Sequence, residues 1–294
     1  MTATHHPPQG EPYLGPITDT SRWENFQHRP DDIFVCTPPK CGTTWTQAIC
    51  ALLVFGTADH GTQPGMISPW IDAAFAPIED YLKQVEAQTH RRFIKTHTPF
   101  DGIPYFPSSA YLVVCRDPRD VYFSGLNHRD NMNDQELACS VFPSGPNAFH
   151  NWLTGVREPG TWDLQSLDSL VHFFNTYWPY RDLENVHVYH YSDMKRDLKI
   201  TIASMASALG VPVNDQQLTE FAEAASFDSM KRNAGQFAPE TGRDFWKAET
   251  NFFANGTNQQ WKDKLSADDL AAFDARIAEL LPPDQVDWML NGYG

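Results

Sequence analysis

The chain has 294 residues, 41% of them hydrophobic, and a formal net charge of −15. This length suits one α/β domain with insertions, and the acidic balance argues against nucleic acid as a main partner. The five cysteines include no C-x-x-C pair, which favours a reduced, cytoplasmic protein. No run of 18 apolar residues occurs, so we expect no membrane-spanning helix.

The predicted elements alternate between short apolar strands and helices. Residues 1–30, polar and proline-rich, are predicted to be a tail and a lead-in loop before one domain over 31–294. In chain order, the apolar periodicity predicts a strand over 33–37, helices over 43–55 and 78–87, strands over 91–97 and 111–115, helices over 118–127 and 164–180, a strand over 186–191, and helices over 195–209, 214–225, 226–233 and 267–281. Three segments lack such a pattern: the loop 56–76, the irregular candidate mobile lid 129–163, and the connection 234–262. The alternation predicts an α/β fold with helices flanking a central parallel sheet.

Polar motifs follow the four predicted strands. They are TPPKCGTTW at 37–45, KTH at 95–97, RDPRD at 116–120 and HYSDMK at 190–195. Open parallel sheets bind their ligands at the carboxyl ends of the strands. We therefore expect one crevice that gathers all four motifs.

The motif TPPKCGTTW links a strand to a helix and predicts a phosphate site. Gly42 lets an anion approach the free N–H groups of the helix, where Thr43 and Thr44 add hydroxyl donors. Lys40 adds a positive charge, but it precedes the glycine, so the nucleotide-kinase pattern G-x-x-x-x-G-K-[ST] is absent. The alternative is an ordinary turn with a capping threonine. Trp45 fits either a core position or stacking on a nucleobase.

Arg116 follows a buried strand directly, and Ser124 lies about two helical turns further on. The guanidinium and the hydroxyl together can hold a second phosphate. The alternative is a structural ion pair between Arg116 and either Asp117 or Asp120 at the start of the helix.

Lys95 and His97 are two residues apart on a predicted strand and therefore face the same side. A lysine there can neutralise charge on a transferred group, and a neutral imidazole can take a proton from an attacking hydroxyl. The pair favours a group-transfer centre over core packing.

These motifs resemble those of the cytosolic-type sulfotransferases, in the same order over roughly residues 30–280. TPPKCGTTW is similar to the family's 5′-phosphosulfate loop YPKSGTTW, CRDPRDVYFSGLNH to its 3′-phosphate motif RNPKDVAVSYYH, and FIKTHTP to its catalytic segment KTHLP. VYHYSDMKRD, SFDSMKRN and NGTNQQWKDKLS resemble the family's LFYEDMKEN, SFKEMKKN and KGxxGDWKxxFT. The resemblance implies a single domain related to nucleotide kinases. It implies transfer of a sulfuryl group from 3′-phosphoadenosine 5′-phosphosulfate (PAPS) to a hydroxyl, leaving 3′-phosphoadenosine 5′-phosphate (PAP).

The resemblance assigns roles to residues by position and implies no metal. His97 would be the general base, Lys95 would steady the sulfuryl oxygens, and Lys40 would stabilise the leaving phosphate. The nucleotide would be bound by Lys40, Cys41, Gly42, Thr43, Thr44, Trp45, Arg116, Ser124, Tyr191, Phe227, Asn255 and Gly256. We expect a small, hydrophobic phenol or alcohol as acceptor. Its pocket is predicted to include Trp70, Phe75, Phe100, Tyr105, Phe106 and Phe142.

The sequence departs from the family pattern in three places. Cys41 replaces the usual serine, which removes a hydroxyl donor but keeps the backbone N–H. Ala254 and Asn255 stand where the family has an arginine and a lysine that clasp the 3′-phosphate. We therefore expect weaker donor binding unless Arg232 or another cation compensates. Residues 262–274 fit the family's dimer motif poorly, so a homodimer by that route is doubtful. A degenerate nucleotide-binding relative and a P-loop phosphotransferase stay open as alternatives.

Overall fold

In a computed structural model of the chain, four parallel strands form one sheet in the order β2-β1-β3-β4. The structure describes residues 7–239, 244–253 and 256–293. The strands are β1 (Ile33–Cys36), β2 (Phe93–Thr96), β3 (Ala110–Cys115) and β4 (Val186–His190). All three pairings in the sheet are parallel. The predicted α/β fold with a central parallel sheet is therefore confirmed.

Helices cover both faces of the sheet. They are α1 (Thr43–Phe55), α2 (Ile78–Glu86), α3 (Pro118–Asn131), α4 (Gln135–Val141), α5 (Ala148–Thr154), α6 (Leu167–Tyr177), α7 (Tyr191–Arg196), α8 (Leu198–Ala208), α9 (Asp215–Ala224), α10 (Phe227–Arg232), α11 (Ala234–Phe237), α12 (Ala267–Leu280) and α13 (Pro283–Asn291). None of the helices in the described ranges combines the length and the hydrophobicity that a membrane span requires.

The two central strands, β1 and β3, are apolar and buried throughout because both of their faces are covered. Alternate side chains of a strand point to opposite faces. Phe34 and Val113 belong to one core, which α5, α6, α12 and α13 cover. Val35 and Leu112 belong to the other core, which α1, α8 and α9 cover. The carboxyl edge of the sheet lies between these two layers. This is where open parallel sheets bind their ligands.

The segment 129–163 is not irregular as the sequence predicted, because α4 and α5 lie within it. The carboxylate of Asp134 accepts the N–H of Leu137 at 2.9 Å and caps α4. Trp152 of α5 is buried in the core. Proline and glycine in this segment mark the turns between short helices rather than one long loop. Its mobility stays a prediction.

The C-terminal helices also differ from the prediction. The helix predicted over 195–209 is two helices, α7 and α8, because Asp197 has extended backbone and caps the second with its side chain. The helix α13 was missed, although it carries Trp288 into the core. It begins at Pro283, and proline at the first helical position needs no N–H partner.

The segment assigned to the tail and lead-in loop contributes aromatic residues to the core. Tyr13, Trp23 and Phe26 are buried, and a 3-10 helix spans Thr20–Asn25. The indole N–H of Trp23 donates to the buried carboxylate of Asp72 at 3.1 Å. Residues 13–26 are therefore part of the packed structure.

Candidate active site

The loop between β1 and α1 forms one wall of a pocket at the carboxyl edge of the sheet. α1 begins at Thr43 without a side-chain cap, and its N-cap residue Gly42 has a φ of 104°, which favours glycine. A Cβ at residue 42 would lie 3.1 Å from the ring of Tyr191, so glycine also allows this ring to approach the loop. The uncapped N–H groups at the start of α1 suit an anion.

Lys40 occupies a backbone conformation that is unfavourable for lysine. The N–H of Cys41 donates to the carbonyl of Pro38 at 3.2 Å, which closes a turn with Lys40 in its third position at a φ of 70°. Type II turns have a positive φ at this position and usually place glycine or asparagine there. Strain of this kind, about 1–3 kcal/mol, is found mainly where a function requires the side chain.

The amine of Lys40 lies among other basic groups. Its Nζ is 2.8 Å from Nδ1 of His128 and 4.8 Å from the ring centroid of Phe252. Burial, together with the charges of Arg116 and Lys95, lowers the pKa of Lys40 to about 7. A bound phosphate would reverse this effect, because an anion favours the charged amine.

Arg116 extends from the end of β3 across the ring of Tyr191, with its guanidinium carbon 4.1 Å from the ring centroid. The guanidinium donates to the backbone carbonyls of Lys40 and Thr257 at 3.2 and 3.1 Å. Its buried Nε has no hydrogen-bond partner among the described residues. Arg116 therefore keeps donor capacity for a ligand.

The structural ion pair that was the alternative for Arg116 does not form among the described residues. Asp117 instead makes a salt bridge to Arg119 at 2.9 Å. Asp120 accepts the backbone N–H groups of residues 259–260 at 2.9 and 2.8 Å. The carboxylate of Asp117 thus stabilises the start of α3, and that of Asp120 binds residues 259–260 to this helix.

One pocket collects most residues that the sequence assigns to the nucleotide. Those lining it are Lys40, Gly42, Thr43, Thr44, Trp45, Arg116, Ser124, Tyr191, Phe227 and Gly256. Trp45 packs edge-on against Tyr191 at 5.3 Å between centroids, and its Nε1 donates to the carbonyl of Ala225 at 2.8 Å. Cys41 is buried behind the lining. Asn255 lies outside the described residues, as does Ala254.

His97 is buried at the end of β2, with its Nδ1 2.6 Å from the carbonyl oxygen of Thr37. Burial and the nearby charge of Lys95 hold the pKa of His97 well below its usual value. Lys95 and His97 meet on the indole of Trp70, at 4.3 Å for the amine and 4.6 Å for the imidazole. Lys95 and His97 therefore face the same side, as the sequence predicted.

The six predicted acceptor aromatics divide into two groups. Trp70 lies beside His97, Phe75 packs against Trp70 at 5.8 Å and is 48% exposed, and Phe142 lies 5.7 Å from His128. The other three have core partners. Phe100 is fully buried and stacks on a tyrosine of α6, and Tyr105 and Phe106 pack against the core on that face of the sheet. Phe100 therefore packs as a core residue, whereas a pocket role for the partly buried Tyr105 and Phe106 stays a prediction.

Comparison with known proteins decides the family. A family model described as Sulfotransferase domain matches residues 30–283. The chain is a member of the sulfotransferase family. A glycolipid sulfotransferase of Mycobacterium bovis is 32% identical to it, over 95% of this chain and 94% of that protein. Human sulfotransferase 1C2 is 24% identical, over 88% of this chain and 86% of that protein.

Solved structures agree on the fold. Mouse sulfotransferase SULT7A1 in complex with PAP has a TM-score of 0.70 at 22% identity, covering 91% of this chain and 89% of that chain. Retinol dehydratase in complex with retinol and PAP has a TM-score of 0.73 at 22% identity, covering 90% and 85%. The family match and the curated relatives identify the chain as a PAPS-dependent sulfotransferase.

Sequence reasoning missed several polar residues that line the pocket of this sulfotransferase, and the two basic ones among them are His128 and Lys195. His128 lies four residues after Ser124 on α3, and Lys195 lies four residues after Tyr191 on α7. Residues four apart share a face of a helix. The helical period, applied to the two motif residues, was therefore the signal that would have found both.

Proposed function

We propose that this sulfotransferase moves a sulfuryl group from PAPS to the hydroxyl of a hydrophobic or amphiphilic acceptor, with His97 as general base. The hydrogen bond between His97 and Thr37 carries the proposal. A carbonyl oxygen only accepts, so Nδ1 of His97 carries the proton and Nε2 keeps its lone pair. Because its pKa is lowered, the imidazole is neutral near pH 7 and can accept the hydroxyl proton.

In this mechanism the acceptor oxygen attacks sulfur while its proton moves to Nε2 of His97. The new oxygen–sulfur bond forms as the bond from sulfur to the 5′-phosphate oxygen breaks. Negative charge then grows on the leaving phosphate, where the ammonium of Lys40 and the N–H groups at the start of α1 oppose it. Lys95 stabilises the sulfuryl oxygens. Arg116 and Ser124 hold the 3′-phosphate.

The acceptor side of the proposal rests on Trp70 and its neighbours. Its indole Nε1 is buried without a hydrogen-bond partner among the described residues, although the ring touches His97. Phe75 adds exposed apolar surface next to it. An apolar surface with one free donor suits an alcohol on an amphiphile. The relative named glycolipid sulfotransferase supports a glycolipid hydroxyl as the first candidate, with phenols and steroid-like alcohols next.

We also propose the compartment in which the chain works and that it is catalytically active. The chain works in the cytoplasm, which its unpaired cysteines suit. It is an active enzyme rather than a degenerate nucleotide-binding relative, because the base, the two lysines and Arg116 all occupy the site. A phosphotransferase reading is not favoured, because its characteristic loop pattern is absent.

The test is transfer of radiolabelled sulfate from PAPS to a glycolipid, a phenol and a steroid alcohol, with wild type, His97→Ala and His150→Ala. His150 is exposed on α5 and serves as the matched control. We expect His97→Ala to lose about 10²-fold or more in rate, while His150→Ala stays at wild type and PAP affinity stays within about twofold for both. Persistent transfer by His97→Ala would contradict the base assignment. PAP binding without transfer to any acceptor would favour the degenerate relative.

A further inference from the structure

The described pocket contains a cation that neither the motifs nor the family comparison assigned to the nucleotide. Lys195, in the last turn of α7, lines the pocket together with Arg116 and Ser124. Its ammonium donates to the carbonyl of Gly256. Burial and the charge of Arg116 lower the pKa of Lys195, which is consistent with the two cations being close.

Arg116 and Lys195 converge on two successive carbonyls of one segment. Arg116 donates to Thr257 and Lys195 donates to Gly256. Two like charges meet on neutral carbonyls here, and neither forms a hydrogen-bonded ion pair with a carboxylate among the described residues, although Asp120 is near enough to offset part of their repulsion. Such an arrangement is suited to a dianion that accepts from both.

The location of this pair explains a departure noted in the sequence. Residues 254–255, where the resemblance placed two phosphate-binding cations, directly precede the carbonyls that Lys195 and Arg116 contact. Arg232, the other candidate, is exposed on α10 and does not line the pocket. A cation from α7 therefore contacts the residue that follows the two sequence positions where the resemblance implies a cation pair.

We propose that Lys195 is the second cation that, with Arg116, holds the 3′-phosphate of the nucleotide. The inference rests on the proposed function, because it assumes that the pocket takes PAPS and PAP. Lys195 takes no part in proton transfer. It contributes to the choice of a 3′-phosphorylated nucleotide over one without that phosphate.

Calorimetric titration with PAP and with 5′-AMP tests this role, because the two ligands differ only in the 3′-phosphate. The proteins are wild type, Lys195→Met and Lys195→Arg. We expect Lys195→Met to bind PAP about tenfold more weakly, in line with loss of one charge-assisted hydrogen bond, and to bind 5′-AMP as wild type does. Lys195→Arg should recover most of the preference.

Two control variants separate this role from a general charge effect. Lys199→Met removes a lysine that pairs with Asp215 at 2.7 Å outside the pocket, and Arg232→Met removes the competing candidate. Neither should change the ratio of the two affinities. An unchanged ratio in Lys195→Met, or a loss confined to Arg232→Met, would overturn the inference. A wild-type protein with no preference for PAP over 5′-AMP would instead overturn the proposed donor site itself.

Discussion

At the scale of single residues, the basic groups in and beside the pocket repel one another, and a bound anion would offset this repulsion. Lys40 lies among Arg116, Lys95 and His128, and burial together with the charges of Arg116 and Lys95 lowers its pKa to about 7. Nδ1 of His128 lies 2.8 Å from this amine, and burial and the charge of Lys40 hold the pKa of His128 well below its usual value. Binding of a phosphate must therefore charge a lysine that is only partly charged beforehand.

This coupling predicts a pH dependence of PAP affinity that belongs to Lys40. A lysine is charged below its pKa, so the attraction to phosphate is complete below about pH 7 and is lost as pH rises through that value. We expect the dissociation constant of wild type to rise by up to tenfold per pH unit above 7. Calorimetry between pH 6 and 9 measures it.

The matched variant for that experiment is Lys40→Ala. It should bind PAP more weakly at pH 6 and should lack the weakening above pH 7, although the titration of the ligand phosphates near pH 6 remains. A parallel pH dependence in both proteins would assign the effect to another group.

Charged site residues could be predicted from the sequence, whereas the roles of the aromatic residues could not. His97, Lys40 and Arg116 were predicted because each stands beside a strand end and carries a charge or a proton. Phe100 and Trp70 were predicted on equal terms, yet one is fully buried in the core and the other lies on His97. Apolar residues serve both purposes, and only the packing of distant segments separates them.

At the scale of elements, the loop between β1 and α1 holds Lys40 against the preference of its own backbone. We predict that Lys40→Gly raises the free energy of unfolding by about 1 kcal/mol relative to Lys40→Ala, because glycine adopts a positive φ without steric cost. Both variants should lose sulfuryl transfer. Urea unfolding measures the difference, and equal stability of the two variants would mean that the turn is not strained.

The strands and the first helix followed from the sequence because their signal is local. A buried parallel strand is a run of apolar residues, and α1 has the predicted bounds Thr43–Phe55. The missed helix α13 shows the opposite case. The last predicted helix ended at residue 281, and Pro282 and Pro283 instead start a further helix. Which role a proline takes depends on whether the residues after it find a core to pack against.

At the scale of the whole molecule, the segment before β1 is held in place by packing that its composition did not reveal. Trp23 is buried and its indole donates to Asp72, which also accepts from Thr96 and Thr98 at 2.7 and 2.5 Å. The segment thus reaches the threonines that flank His97 in sequence. Polar, proline-rich composition predicted a tail, whereas three aromatic residues place it in the core.

This packing predicts a large effect of Trp23 on stability. Trp23→Ala should lower the free energy of unfolding by about 3–5 kcal/mol. Trp23→Phe should lower it by about 1–3 kcal/mol, since it mainly leaves Asp72 short of a donor. Leu14→Ala, at a position that is 59% exposed, should stay within about 0.5 kcal/mol. Denaturant unfolding ranks the three, and equal effects of Trp23→Ala and Leu14→Ala would contradict the role of this segment in the core.

The two halves of the site draw on different stretches of chain. Among the described residues that line the nucleotide pocket, none comes from 56–76, the loop between α1 and α2. That loop carries Trp70, and Phe75 beside it, to His97. On the proposed function, the residues that bind the sulfuryl donor and the loop that contacts the acceptor are therefore separate segments of the chain. Replacing this loop with that of a relative should change the acceptor specificity and leave the binding of PAPS unchanged.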